Sequence, residues 1–503
     1  MTEIKIEKRL LIDIGSISLQ TTSLDKLTKT IRTSEEYIEL QKANPLNYEE
    51  SGSFNTKDDF VEHFPLHVSI KARIDHVRQC GKKMVFILLR QKEKSLQVLF
   101  REDIEQYPNL TREMIKSYGK LSPESIVTIK GILVRSPVKI ETPTISHYEL
   151  MGYHLEQHSS SGPLPIQIYK PDALLETRLN HRVLDLRNQK NQIIFQIEHQ
   201  VLQRARTFLV GKNFMEIKSP KLLGYASESG SEVFKVDYFE KEAFLAQSPQ
   251  FYKQMAINAG FERVFEIGPV FRAEKSHSSR HLTEFTGIDM EMEITDRIDV
   301  IRMLYELVKA IFIDLYSDNL DLFELWNKIS ESHFDVPLIP DTNEPVTITY
   351  KDAVKMMEEK HVEIESPEDL NYQDQLNLAK LVKEKYNTDI FLLDKFPMNL
   401  RPFYTETDPE DSSIGLAYDF IFRGKEILSG AQRVNDYTIL LKRLKKTGNS
   451  QASIQDYLDS FKYGSPKHGG GGFGLERLIG AYFNIENVRN FSLFPRDPLR
   501  LNP

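Results

Sequence analysis

Residues 261–294 read FERVFEIGPVFRAEKSHSSRHLTEFTGIDMEMEI, two strand-like runs flanking the loop Lys275–Arg280. In the second run Leu282, Thr286, Ile288, Met290, Met292 and Ile294 share one face. Thr283, Phe285, Gly287, Asp289, Glu291 and Glu293 share the other, because side chains alternate along a strand. In the first run Arg272 and Glu274 lie two apart and point the same way. The pattern predicts a hairpin with an apolar back and a front of cations, carboxylates and one ring. Charges alone fit a solvated face. Phe285 and Gly287 on that face fit a stacked planar ligand better, since a flat ring and a bare backbone leave room for one.

Further along, KHGGGGFGLERLIGAYF (467–483) sets a glycine run before a helix-like stretch with Glu476 and Arg477 in its first turn. GxGxxG matches at Gly469–Gly474, but the residues before it are not a strand, so the dinucleotide fingerprint lacks its context. HGGG at 468–471 fits a lipase oxyanion loop, yet no GxSxG elbow accompanies it. A phosphate-binding GxxxxGK[ST] is absent. Two readings stay open: bare backbone close to a ligand with Arg477 nearby, or tight packing of the helix on a sheet. GKEILSGAQRVNDY (424–437) spaces Glu426 and Ser429 three apart, oxygen donors suited to magnesium that bridges a nucleotide. Arg433 can fork onto a carboxylate. LAQSPQFYKQ (245–254) puts Ser248, Gln250 and Lys253 beside a helix start at Pro249.

Upstream, residues 189–210 carry an apolar helical stripe of Ile193, Ile194, Ile197, Val201, Ala205, Phe208 and Leu209, with Gly211 as a stop. Helices and strands alternate irregularly from there to the end, which favours α+β over a regular βαβ repeat. In LHVSIKARID (66–75), Leu66, Val68, Ile70, Ala72 and Ile74 alternate with polar residues. The turn RQCGKK, strands MVFILLR and SLQVLF, a helix over 110–118, the strand SIVTIKGILV and a fifth strand around 144–150 follow. That order is the order of an OB-fold barrel, which binds oligonucleotides on one face. A small β-domain with a solvated charged face fits the same pattern. The expected organisation is a loosely ordered extension at 1–60, the barrel at 61–155, a linker at 156–188 around HSSSGPLP, and the large domain at 189–503. A short helix is expected near Ser34–Ala43. The extension is not polybasic and receives no nucleic-acid role.

The net charge of the 503 residues is −8, which as a sum argues against a nucleic-acid partner. The sum hides a local excess: residues 71–101 hold 9 basic and 2 acidic side chains. With Phe86 and Gln97 in the same sheet, that excess favours single-stranded nucleic acid. The lone cysteine, Cys80, excludes an internal disulfide and a multi-cysteine zinc site, and fits a reducing cytoplasmic setting. No apolar run exceeds Met84–Leu89 and no secretory signal opens the chain, so no membrane association is expected.

Together these segments closely resemble the eukaryotic and archaeal type of aspartyl-tRNA synthetase, within the class II (subclass IIb) aminoacyl-tRNA synthetases. The resemblance runs from about residue 64 to the C-terminus. FRAE (271–274) and its downstream strand resemble motif 2, over about 261–294. GLER (474–477) resembles motif 3, over about 468–483. The helix at 189–210 with FMEIKSP, ending at Pro220, resembles the dimer-forming motif 1. QSPQFYKQ, TEFTGIDMEME and ILSGAQR separate the aspartyl enzymes from their lysyl and asparaginyl relatives. The bacterial form carries a large insertion between motifs 2 and 3; here that interval is under 200 residues long.

The resemblance implies an antiparallel catalytic sheet flanked by helices, an OB-fold that reads the anticodon, and a homodimer. It implies ATP as substrate with Mg2+, L-aspartate, and the aspartate tRNA. For ATP it implies Arg272 at the α-phosphate, Glu274 at the adenine amine, Phe285 and Arg477 around the adenine ring, and Arg280 and His281 at the terminal phosphates. Leu282, Gly474, Leu475 and Glu476 complete that site, with Glu426 and Ser429 on magnesium. For aspartate it implies Lys253 and Arg433 on the side-chain carboxylate, Asp289 orienting that pair, Ser248, Gln250 and Ser429 lining the pocket, and Glu228 closing near the α-ammonium. Asparagine would face two cations, and an uncompensated buried charge costs about 3–5 kcal/mol. Arg78, Phe86 and Gln97 match anticodon contacts. Three other readings remain: a relaxed enzyme that also charges the asparagine tRNA, a catalytically silent paralogue, and a tRNA-independent asparagine synthetase.

Overall fold

The computed structural model describes residues 21–22, 66–102, 110–168, 173–225, 233–365, 367, 369–447 and 451–502. The chain divides into two compact units, residues 1–192 and 193–503. Apart from Thr21–Thr22, which pair in parallel with Ser69–Ile70, the first 65 residues lie outside the described set, and so does the short helix expected near Ser34–Ala43.

In the first unit β1 (Leu66–Cys80), β2 (Met84–Gln91), β3 (Lys94–Arg101), α1 (Arg112–Tyr118), β4 (Ile126–Arg135) and β5 (Tyr148–Ser159) follow in order. The strands pair as β1-β2-β3-β5-β4, and β4 returns to β1, which closes a five-stranded barrel. Only β3 and β5 run parallel. This is the OB-fold topology. Period-two alternation sends Val68, Ile70, Ala72 and Ile74 inward with Val85, Ile87, Leu89 and Val98. Two boundaries differ from expectation. β1 continues through Arg78 to Cys80, so the turn is only Gly81–Lys83, where Gly81 takes a φ of +64°. β5 starts later, at Tyr148, and runs into the presumed linker. Its outward half is polar, which hid the strand period.

The second unit is built on an eight-stranded sheet. The strands of that sheet and the helices that frame the site are α2 (Gln189–Gly211), β6 (Met215–Glu216), α3 (Gln250–Asn258), β7 (Arg263–Phe271), β8 (Glu284–Glu293), α4 (Arg297–Phe312), β9 (Thr347–Thr349), α5 (Tyr372–Tyr386), β10 (Ile390–Asp394), β11 (Ala417–Phe422), β12 (Lys425–Gln432), β13 (His468–Gly474) and α6 (Leu475–Tyr482). The strand order is β9-β10-β11-β12-β13-β8-β7-β6. The six inner strands are antiparallel. The short edge strands β6 and β9 join in parallel, so the sheet is mixed rather than wholly antiparallel.

The apolar back of β8 (Ile288, Met290, Met292) packs with α2, α4 and α6 in the main core. α4 is started by a capping box of Asp296 and Asp299, which satisfies donors at its first turn. The glycine run is not a loop before a helix. It is the strand β13, lying between β8 and β12. A Cβ on Gly470 would meet the Met290 carbonyl at 2.1 Å and Glu291 at 2.3 Å, and one on Gly472 would meet Asp289 at 2.5 Å. The glycines make room for the carboxylates of β8. Neither reading left open from the sequence had placed them there.

Candidate active site

The front of β8 opens onto a cavity of about 480 Å³. Arg272, Glu274, Arg280, His281, Leu282, Phe285, Glu426, Gly474, Glu476 and Arg477 line it together with Ser248, Gln250, Lys253, Asp289, Ser429 and Arg433. Residues more than 200 apart in sequence are therefore brought to one hollow. Leu282 had been placed on the apolar back. It precedes β8, so the strand period does not govern it, and it turns to the cavity instead. Leu475 does not line the cavity; it is a core residue of α6. Glu228 lies outside the described residues.

One end of the cavity suits a planar base with phosphates. β7 stops at Phe271, so Arg272 and Glu274 sit in the loop, not on the strand, although the Arg272 N–H still donates to Thr283 O at 2.9 Å. The Arg272 guanidinium lies 5.6 Å from the Phe285 ring centre and 3.9 Å from Glu274. His281 stands 3.4 Å from Glu274 and hydrogen-bonds Ser278. Burial, followed by the neighbouring Arg477, Arg280 and Arg272, holds its pKa below the usual histidine value despite Glu274. Arg280 stacks on Tyr372 of α5 at 4.1 Å. Gly474 has room for a methyl: a Cβ there would make only ordinary contacts with Arg477 and Phe285 at 3.8–3.9 Å. Glu476 is nearly buried and accepts from the Thr286 N–H at 3.1 Å, which ties the start of α6 to β8. Burial pushes its carboxyl up to about 7.

The other end is a buried charge network. Lys253 and Gln250 come from α3, whose polar face points inward, so each buried polar group there needs a partner. Lys253 Nζ lies 3.1 Å from Asp289, 3.3 Å from Glu291 and 3.4 Å from Met290 O. Arg433 donates from Nε to Glu291 at 2.9 Å, and from Nη2 to Gln250 at 3.2 Å, Glu291 at 3.3 Å and Gly470 O at 3.1 Å. Asp289 therefore pairs with Lys253, and Glu291 pairs with both Arg433 and Lys253. Sequence reasoning had given both cations to Asp289 and no role to Glu291. Burial opposes ionisation of Glu291, but Arg433 and Lys253 more than offset it and keep its pKa below the usual carboxylate value. The alternating pattern did put Glu291 on the front face, which was the available signal.

Between the two ends, Arg401 pairs with Asp419 at 2.7 Å and donates to Ser429 Oγ at 3.1 Å. Its guanidinium lies 3.6 Å from the Phe396 ring centre. Asp419 is opposite Ser429 across β11 and β12. Burial pushes its carboxyl up to about 6, against the pull of Arg401, with Glu426 adding to the rise. Glu426 is also 3.7 Å from Arg477. Glu426 and Ser429 line the cavity and buried Asp419 lies opposite Ser429, hard oxygen donors of the kind that suits magnesium. Arg401 and Asp419 carried no motif signal, since each sits alone in its stretch.

In the barrel, Arg78 and Phe86 are cross-strand partners, with the guanidinium 5.0 Å from the ring centre. Phe86 and Leu88 turn outward, and Gln97 lies opposite Leu88, hydrogen-bonded to Glu149 at 3.1 Å. The three barrel residues share one outer face. Pro220 is exposed.

Similarity to known proteins follows the same division. Residues 68–151 match the family described as OB-fold nucleic acid binding domain. Residues 174–498 match the family described as tRNA synthetases class II (D, K and N). The cytoplasmic aspartate–tRNA ligase of Caenorhabditis elegans is 38% identical over 89% of this chain and 86% of its own. The aspartyl tRNA synthetase structure from Entamoeba histolytica is 37% identical, with a TM-score of 0.79 over 87% of this chain and 90% of that one. The asparaginyl-tRNA synthetase of Pyrococcus horikoshii complexed with asparaginyl-adenylate is 29% identical, with a TM-score of 0.77 over 87% of this chain and 96% of that one. An antiparallel-centred sheet, a cavity with arginines and a ring at one end and a charge network at the other, and these matches agree: the chain belongs to the class II tRNA synthetases (D, K and N) and groups there with the cytoplasmic aspartate–tRNA ligases.

Proposed function

We propose that this protein is an aspartate–tRNA ligase in which L-aspartate and ATP share the cavity on β8. The observation that carries the reading is the pair of buried cations, Lys253 and Arg433, at one end of a hollow whose other end holds Arg272, Phe285 and Arg477. The aspartate α-carboxylate attacks the α-phosphorus of ATP, forming aspartyl-adenylate as pyrophosphate leaves. The 3′-terminal ribose hydroxyl of the tRNA then attacks the acyl carbon, and AMP leaves. Arg272 offsets charge at the α-phosphate, Phe285 and Arg477 enclose the base, and Arg280 and His281 meet the terminal phosphates. Alignment and charge neutralisation supply most of the rate.

Asp419, Glu426 and Ser429 would hold Mg2+, which shields phosphate charge when bound. The outer face with Arg78, Phe86 and Gln97 would read anticodon bases by stacking and edge hydrogen bonds. Residues 189–220, with exposed Pro220, would form the homodimer surface. The cytoplasmic setting agrees with relatives named cytoplasmic; no helix among the described residues is long and apolar enough to cross a membrane.

Selection against asparagine needs a different account from uncompensated charge. Lys253 and Arg433 already have Asp289 and Glu291 as counter-ions, so the charge penalty expected from sequence does not apply. Both cations present only N–H donors. A carboxylate accepts from them, whereas the amide NH2 of asparagine would oppose a donor with a donor.

Aspartate-dependent exchange of pyrophosphate into ATP tests the reading. Wild-type protein should catalyse it, and Lys253→Ala and Arg433→Ala should each abolish it while remaining folded by circular dichroism. Exchange supported equally by asparagine, or unaffected by both variants, would overturn it. The reading in which the asparagine tRNA is also charged is not favoured by the relatives.

A further inference from the structure

Behind Arg433 and Gln250 a chain of hydrogen bonds runs on through Gln254 and His468, two residues the proposed reaction does not use. Arg433 Nη2 donates to Gln250 Oε1 at 3.2 Å. Gln250 Nε2 donates to Gln254 Oε1 at 3.0 Å, which also accepts from the Tyr457 hydroxyl at 3.1 Å. Gln254 Nε2 lies 2.9 Å from His468 Nε2. His468 Nδ1 lies 2.8 Å from the Pro466 carbonyl. Gln254 and His468 are fully buried, at 0% exposure each, so water cannot substitute for a lost partner.

The two ends of this chain have fixed polarity. A guanidinium can only donate and a backbone carbonyl can only accept. Starting from Arg433, Gln250 must turn its oxygen to the guanidinium and its NH2 to Gln254. Gln254 must then turn its NH2 to His468, whose Nε2 must accept. Starting from Pro466, Nδ1 must carry the proton, which leaves Nε2 as an acceptor only if the ring is neutral. Both derivations give the same arrangement. An imidazolium, or the Nε2–H tautomer, would put two donors face to face and force both glutamines to flip. Gln250 would then turn its NH2 against Arg433.

We propose that His468, as the neutral Nδ1–H tautomer, is a positioning residue that sets the polarity of the aspartate clamp. It acts through Gln254 and Gln250 on the Arg433 guanidinium, and so on the preference for a carboxylate over an amide. The assignment of the ligand rests on the aspartate reading above; the polarity of the chain does not. Charged groups near the ring also bear on its state: Glu291 favours the proton, while Arg433 and Lys253 oppose it. Burial is the largest influence and favours the neutral ring.

The test has two arms on the full-length protein. In the first, 15N-histidine-labelled wild type without substrate is examined by NMR at neutral pH, with His468→Gln identifying the resonance by its loss. A neutral Nδ1–H ring is expected; an imidazolium or an Nε2–H ring would overturn the proposal, whatever the substrate proves to be. In the second, aspartate-dependent exchange is measured in His468→Leu and His468→Gln. Leucine removes the acceptor for Gln254, and aspartate KM should rise about ten- to a hundredfold, the range for disturbing a hydrogen bond to a charged group. The ATP KM should stay put and the aspartate-to-asparagine preference should narrow. Glutamine can present an oxygen to Gln254 and should restore most of the aspartate KM. Equal defects in both variants, or parallel rises in both KM values, would show a packing role and sink the proposal. Wild type with no aspartate dependence would instead refute the functional reading and leave the NMR arm decisive for the chain.

Discussion

Glu291 Oε1 accepts from Arg433 Nε at 2.9 Å, and both side chains are shut off from solvent. The other Glu291 oxygen lies 3.3 Å from Lys253. One carboxylate therefore anchors both cations of the proposed aspartate clamp.

Glu291→Gln should destabilise the protein by about 3–5 kcal/mol, the cost of leaving buried charge without its partner. Urea unfolding at neutral pH measures this. The pH dependence has a definite sign. The folded-state pKa of Glu291 is lowered, so its contribution is full above the unfolded pKa and is lost as pH falls through the folded value. Wild type should lose this stability below about pH 4, and the variant should lack that component.

Gly470→Ala and Gly474→Ala separate two demands within one strand. The Cβ at 470 would fall 2.1 Å from a backbone carbonyl, which cannot yield without moving β8. Loss of about 1–3 kcal/mol or more is expected. At 474 the nearest atoms are 3.8 Å away, and stability should hold while ATP KM rises as the methyl enters the cavity. Thermal melts and exchange kinetics of the two variants check both statements.

Glu198 on α2 has a carboxylate oxygen, Oε2, with no hydrogen-bond partner among the described residues. Burial, with a smaller push from Glu476, raises its pKa to about 8. The folded state therefore holds a proton that the unfolded state releases at lower pH, and stability declines as pH rises from the ordinary carboxylate value of 4.5 towards about 8. Glu198→Gln stays neutral and should remove that decline. Its free energy of unfolding in urea should match wild type at pH 5 and exceed it at pH 9 by an amount on the order of 1 kcal/mol or more.

Phe86→Ala should separate the two reactions. Loss of one base–aromatic stack costs about 1–3 kcal/mol, so charging of tRNA should fall roughly five- to 150-fold in kcat/KM. Pyrophosphate exchange, which needs no tRNA, should be unchanged. Equal loss in both assays would remove Phe86 from anticodon reading.

The hairpin at 261–294 was legible because strand alternation is rigid: Ile288, Met290 and Met292 do point to the core, Phe285, Gly287 and Asp289 line the cavity, and Glu291 is buried against Arg433 and Lys253. The loop ends were less so, since Arg272, Glu274 and Leu282 lie outside the strands. β13 was unreadable as a strand because glycines carry no side chain from which a period could be seen. Arg401 and Asp419 were missed because their meaning is a pairing across 18 residues, invisible in either local stretch. The share-out of Asp289 and Glu291 between two cations is likewise a property of distance, not of spacing.

Lys253, Arg433, Asp289 and Glu291 sum to zero formal charge. An empty pocket with this balance exerts little pull on a simple anion, so chloride or acetate gains little by entering. Aspartate carries two carboxylates and one ammonium: its side-chain carboxylate and ammonium offset each other at the amino-acid end, and the α-carboxylate, which accounts for its net charge of −1, faces the phosphate end. Recognition on these terms is insensitive to ionic strength at the amino-acid end, while the arginine-rich phosphate end stays open to screening. One cavity thus carries two salt responses, and the amino acid can be selected under conditions that weaken the hold on the nucleotide.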